Sequence, residues 1–312
     1  MQQFATLNAS KANFDDIYDQ PDPRAYFTVL GALDYVIPDV AEPVIRQILA
    51  ARRKCTATEA TVLDVGCSYG INAAVHRFPL SFRVLRRRYV HPEMAVLSAD
   101  ELARLDRNYY ASWPQISAAR FIGLDMSGAA VRYAVAAGLL TTGIVANFEH
   151  AEPTLQERRA LRAVNVILST GCVGYVTERT FRAILDCTDQ PPWIISFVLR
   201  MFPYADIAAA LDRFGLVTEK LAGTTFVQRR FRDVKEFTGC LTTLEKLGID
   251  TQGLEAEGRF QAELFLSRPR TDVQAAPLAK IVKVVSGRDR TVGTRYVRIG
   301  RGSDARVMGV TS

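Results

Sequence analysis

One run in the first quarter of the chain limits the fold more than any other: Val62-Leu63-Asp64-Val65-Gly66-Cys67-Ser68-Tyr69-Gly70-Ile71-Asn72. Val62 to Val65 read as a short buried strand, β-branched and aliphatic around one acid. Gly66 and Gly70 bracket a tight turn, and a helix is expected to start near Tyr69. A strand that feeds a glycine turn and then a helix N-terminus suits a nucleotide site. The turn lets backbone approach a ligand closely, and the helix end offers free N–H groups. Two common versions are excluded, because the chain has neither Gly-x-Gly-x-x-Gly nor Gly-Lys-Ser/Thr here.

Downstream, strand and helix patterns alternate. Arg120–Asp125, Thr142–Asn147, Val164–Ser169 and Trp193–Leu199 read as further strands, and helices fit between them. Five such repeats predict an α/β fold with a doubly wound, mostly parallel sheet. Leu216–Leu221 and Thr225–Phe231 are expected to form a hairpin around Gly223, and Ala262–Ser267 a last strand. Residues 1–60 read as a helical N-terminal extension, a lid before the first strand. The gap between the glycine turn and Arg120 is too long for one helix, so a helical insertion is expected over about residues 79–114. Ser98-Ala99-Asp100-Glu101 gives it a capping box.

Composition narrows the chemistry. The 312 residues carry a net charge of +6. From Thr271 onward there are eight basic residues and three acidic ones, so most of the excess lies in the last stretch. Residues 271–312, rich in glycine and arginine, read as a basic, disordered tail. The five cysteines are spread out with no Cys-x-x-Cys pair, and the three histidines have no neighbour at ligand spacing, so no metal is expected. No apolar run is long enough to span a bilayer and no secretory signal stands at Met1–Asp16; the expectation is a cytoplasmic protein.

The stretch from Asp64 to Gly70 resembles motif I of the class I S-adenosylmethionine-dependent methyltransferases, Asp/Glu-x-Gly-x-Gly-x-Gly, matching at Asp64, Gly66 and Gly70 and departing at Ser68, where the family has a glycine. The resemblance covers roughly Thr61 to Pro269. It implies a Rossmann-like sheet with an antiparallel edge, with residues 61–270 as the cofactor-binding domain. S-adenosylmethionine is then the cofactor, held by Asp64, Gly66, Cys67, Ser68 and Gly70. Asp125 would take the ribose hydroxyls and Met126 would pack on the adenine; the alternative for Asp125 is a helix cap. Asn147, Phe148 or Glu149 would flank the base. Ser169 and Thr170, at the end of the fourth strand, would lie beside the transferable methyl. Tyr175 faces the substrate or is a core tyrosine.

Methyl transfer needs a general base only when the acceptor arrives protonated. His91, inside the insertion, is the candidate among three histidines. Arg86 and its neighbours read either as a clamp for an acidic group or as a solvated face. Together with Tyr26, Tyr109 and Tyr175, Arg86 completes the expected acceptor wall. The expected activity is methyl transfer to a small molecule, an acidic metabolite methylated on oxygen being favoured. A nucleic-acid methyltransferase anchored by the basic tail is the second reading, opposed by the lack of an Asn/Asp-Pro-Pro-Tyr/Phe sequence. A fold that binds the cofactor without transfer is the third. A homodimer would fit the helical extension.

Overall fold

The computed structural model describes residues 15–284, 296–299 and 305–309. Among the described residues ten strands form one sheet: β1 (Thr61–Val65), β2 (Arg120–Asp125), β3 (Thr142–Val145), β4 (Val166–Thr170), β5 (Trp193–Leu199), β6 (Leu216–Lys220), β7 (Thr224–Arg230), β8 (Arg259–Pro269), β9 (Tyr296–Ile299) and β10 (Ala305–Gly309). Their order is β3-β2-β1-β4-β5-β8-β7-β10-β9, and β6 pairs with β8. β1 to β5 run parallel, with Val62 opposite both Phe121 and Val166. β8 enters antiparallel, Phe197 opposite Leu264. This is the doubly wound, mostly parallel sheet with antiparallel strands that was expected. β1 and β5 are buried along their whole length, as strands covered by helices on both faces must be. The order reverses between β1 and β4, which opens a crevice at their carboxyl ends.

Two expectations are corrected. β6 and β7 form no hairpin with each other. The eleven-residue β8 is long enough to serve both, Lys220 lying opposite Phe265 and Phe226 opposite Ala262, so Gly223 turns a corner between its two halves. The tail does not lose order at residue 271. Helices Arg270–Ala275 and Leu278–Ile281 follow β8 directly, and Leu278 and Val282 are 2% and 5% exposed. Trp193 Nε1 donates to Asp272 Oδ2 at 2.8 Å. Two apolar side chains and an indole partner are enough to hold this stretch, which charge counting overlooked. Further on, Tyr296–Ile299 is a strand whose partner is Ala305–Gly309, itself laid parallel on β7. The rest of the tail expectation falls at 285–295, 300–304 and 310–312, outside the described residues.

The N-terminal helices Asp15–Tyr18 and Arg24–Ala32 lie over the crevice. Loop residues after them run along the edge of β7: Val36 N donates to Gln228 O at 2.9 Å and Arg230 N to Leu33 O at 2.8 Å. Arg230 also pairs with Asp34 at 2.7 Å. The insertion props up this lid from behind. Phe27 stacks on Tyr89 with centroids 4.6 Å apart and packs against Phe82 at 4.9 Å. Asp106 anchors the insertion to the body. It is fully buried, accepts from the Tyr89 hydroxyl, from Tyr133 Oη at 2.6 Å and from Arg88 Nε at 2.9 Å, and so compensates a buried charge with three donors.

Candidate active site

The glycine turn is unusual in its dihedrals. Gly66, Ser68 and Gly70 all have positive φ, at 72°, 46° and 78°. Ser68 stands in the left-handed region at the one glycine position of the motif where this chain has another residue, a conformation that strains a residue with a Cβ. Hydrogen bonds hold it there. Gly66 N donates to Leu124 O at 2.8 Å, and Ser68 N donates to Asp125 Oδ2 at 2.8 Å. The turn from β1 is thus bolted to the end of β2. A Cβ at Gly66 would come within 2.8 Å of the Cys172 Cβ, so only glycine lets the turn approach the chain that leaves β4.

Asp125 faces the crevice and is held on both oxygens, Oδ1 accepting from Ser127 N at 3.0 Å. Burial pushes its carboxyl up from the usual range, opposed by the backbone N–H groups of Ser127 and Ser68. Next to it Met126 is 68% exposed, and Asn147 Nδ2 donates to its sulfur at 3.2 Å. Asn147, Phe148 and Ala146 line the same side of a cavity of about 410 Å³, a size usual for cofactor sites. At the end of β4, Thr170 Oγ1 accepts from Asn72 Nδ2, which also donates to Asp64 Oδ1, both at 2.9 Å. Asp64 is 0% exposed and its other oxygen has no partner; burial pushes its carboxyl up to about 7. The Ser68 hydroxyl is buried and also without a partner.

The lid closes the opposite side. Tyr18, Asp19, Tyr26 and Tyr35 line the cavity, and Asp19 Oδ1 accepts from Ser127 Oγ at 2.9 Å. The Tyr69 hydroxyl donates to Gln20 O at 2.8 Å. Tyr175, 56% exposed, lies at the mouth, and Gln228 and Arg229 reach in from β7.

Of the residues singled out by sequence, Gly66, Cys67, Ser68, Asp125, Met126, Asn147, Phe148, Thr170, Tyr26 and Tyr175 are brought together on this cavity. Others stand behind it. Asp64 is in the second layer. Gly70 caps the helix Ile71–Arg77, and the Ser169 hydroxyl lies 3.0 Å from Cys172 Sγ. Glu149 faces away from the base: its carboxylate accepts from Thr177 N, Thr177 Oγ1 and Thr180 Oγ1 at 2.6–2.7 Å and so caps the helix Glu178–Leu185. The insertion residues are not at the site at all. His91 is an exposed cap of the short helix Pro92–Ala95, Arg86 lies across Gly31 of the lid helix, and Tyr109 carries the Arg88 guanidinium 4.1 Å above its ring. The expected wall is therefore not found in the insertion: its residues pack behind the N-terminal helices, whose tyrosines Tyr18 and Tyr26, with Tyr35, line the cavity. Sequence reasoning missed Asp19, Asn72, Gln228 and Arg229. β7 reads Thr-Thr-Phe-Val-Gln-Arg-Arg, so nothing in the pattern set Gln228 and Arg229 apart from its other polar residues.

The donor set fits a nucleoside-bearing cofactor. A carboxylate stands at a strand end, backbone approaches closely at the turn, an exposed thioether and an amide flank a flat slot, and an orphaned hydroxyl points to a missing polar partner. No protein-family model matches the sequence. No curated protein matches it either. Among solved structures, the plantazolicin methyltransferase BpumL, in complex with SAH and a triazolic desmethyl analog, is similar at 10% identity and a TM-score of 0.44, over 86% of this chain and 98% of that one. Magnesium protoporphyrin IX methyltransferase (ChlM) from Synechocystis PCC 6803 with bound SAM is similar at 12% identity and 0.38, over 85% and 90%. The [4+2]-cyclase SpnF is similar at 13% and 0.37, over 72% and 80%. Likenesses this distant say nothing of chemistry, which rests on the site.

Proposed function

We propose that this protein is an S-adenosylmethionine-dependent methyltransferase acting on a small molecule. The observation that carries the reading is the bond between the two strand ends: a three-fold positive-φ turn after β1, held by Asp125 at the end of β2, opening on a roofed cavity. Bound cofactor would supply a methyl group already activated on a sulfonium, so the protein has to align and desolvate more than to activate. Asp125 would hold the ribose hydroxyls with the lone pairs its two backbone donors leave. Asn147, Phe148 and Met126 would flank the adenine. The lid, tied to Ser127 through Asp19, would keep water out. A cavity roofed by the chain's own helices favours a small acceptor over a duplex.

Calorimetry with S-adenosylhomocysteine tests the proposal, with NAD as control. The full chain should bind the first and not the second. Asp125→Ala should weaken S-adenosylhomocysteine by about ten- to a hundredfold, the worth of a charged hydrogen-bond pair. Binding of NAD alone, or an unchanged affinity in the variant, would end this reading. Formation of S-adenosylhomocysteine on turnover separates transfer from mere binding.

A further inference from the structure

Resting on the methyl-transfer reading, we infer that the acceptor is an uncharged, flat ring compound, methylated on an atom whose lone pair is available without loss of a proton, such as a ring nitrogen. Beyond the cofactor crevice the cavity is walled by aromatic rings. Tyr26 meets Tyr18 and Tyr35 edge to face, with centroids 5.6 and 6.2 Å apart, and Tyr175 stands at the mouth. Such a wall takes a planar guest by stacking and edge contacts.

Charge excludes the alternatives. The charged side chains lining the cavity, among the described residues, are Asp19, Asp125 and Arg229. Arg229 is the only cation of the three, and it is already neutralised: its two terminal nitrogens donate to Glu236 at 2.8 and 2.6 Å, both side chains are almost wholly buried, and the guanidinium sits 4.8 Å over Phe260. A carboxylate acceptor would add a third negative charge to the cavity and meet a cation whose fork is taken. An ammonium acceptor would be repelled by the sulfonium it must approach. Gln228 lines the cavity as a polar partner for a neutral edge.

The cavity also offers little to take a proton. The three histidines stand outside it: His76 is buried behind the glycine turn, and His91 and His150 are exposed elsewhere. Burial pushes the Cys172 thiol and the Tyr35 phenol up to about 12. Asp19 and Asp125 are both tied at Ser127, on the ribose side. Among the described residues an acceptor that must be deprotonated finds no base beside it other than these two tied carboxylates, whereas a ring nitrogen needs none. In that step the nitrogen lone pair forms the new N–CH₃ bond, the S–CH₃ bond breaks with its electrons left on sulfur, and the positive charge passes to the ring.

The test uses the full chain and two probes of similar size, isoquinoline and benzoate, one neutral and one anionic at neutral pH. S-adenosylhomocysteine is titrated first. Its failure to bind would sink the methyl-transfer reading and this inference with it; with S-adenosylhomocysteine bound, the probe ranking decides the ring inference alone. With both probes measured by calorimetry and ligand-observed saturation transfer, isoquinoline should bind at least about tenfold more tightly than benzoate, the scale of an unpaired buried charge. Glu236→Gln removes the neutralising carboxylate without touching the cavity wall. It should raise benzoate affinity about tenfold and leave isoquinoline unchanged. Benzoate binding as well as or better than isoquinoline in the natural protein, or no binding of isoquinoline, would overturn the inference. Should Glu236→Gln fail to fold, that ranking alone decides.

Discussion

At the scale of single residues, the site works by withholding partners as much as by supplying them. Asp64 is the clearest case: one oxygen accepts from Asn72, the other is buried with nothing opposite. Its carboxyl ionises near 4 in an unfolded chain and is pushed up to about 7 by burial in the folded one. The unfolded state therefore loses this proton first. The contribution of Asp64 is most favourable below about pH 4, and is lost as pH rises toward and through 7. Asp39 and Glu255 are also pushed up to about 7 by burial, so total stability alone cannot isolate the effect. Comparing urea unfolding of the natural chain with Asp64→Asn at several pH values does. The natural chain should lose more stability between pH 4.5 and 8 than the variant, and two parallel curves would show that Asp64 is not responsible. In the sequence this residue was visible as a motif acid, but its place behind Asn72 was not. Spacing reports which strand end a residue occupies, and says nothing of which neighbour covers it.

At the scale of elements, the parallel strands were legible because continuous apolar runs between glycine caps have few other solutions. Arg120–Asp125 and Trp193–Leu199 appear with the expected bounds. The insertion was legible as helices and misread as to where they sit. Aromatic and arginine side chains suit a ligand wall and suit a helix–helix interface equally well; what separates them is a tertiary partner. Here the partner is Asp106, whose carboxylate gathers Arg88, Tyr89 and Tyr133. Asp106→Ala would leave a guanidinium and two phenols without their acceptor. It should destabilise the chain by about 3–5 kcal/mol in urea unfolding, the usual result of breaking a buried charged network. A loss under about 1 kcal/mol would mean that the insertion is held by its apolar face alone. The antiparallel end was the hardest part to read, since β8 had to be seen as two pairing surfaces in one strand before β6 and β7 could be placed.

On the scale of the whole molecule, the chain's later segments complete structures begun by its earlier ones. Ending the chain after Arg270 removes Leu278 and Val282 from the core and the Asp272 partner from Trp193. Two buried side chains are worth about 1.5–3 kcal/mol each, so the melting temperature should fall by roughly 10 °C. A truncation that melts with the full chain would restore the tail to a mere appendage. The same dependence runs through the lid. Its loop docks on β7 through the bonds Val36–Gln228 and Arg230–Leu33, so the strand that fastens it is made about 190 residues after it. During synthesis at about 5–20 residues per second, the lid waits roughly 10 to 40 s before its clasp exists. For that interval the glycine turn and the Asp125 carboxylate can already be assembled on β1 and β2, with the tyrosine wall unfastened above them. A nascent chain of this kind would have the turn and its carboxylate in place well before it can enclose a guest, and the cavity shuts only once β7 has been made.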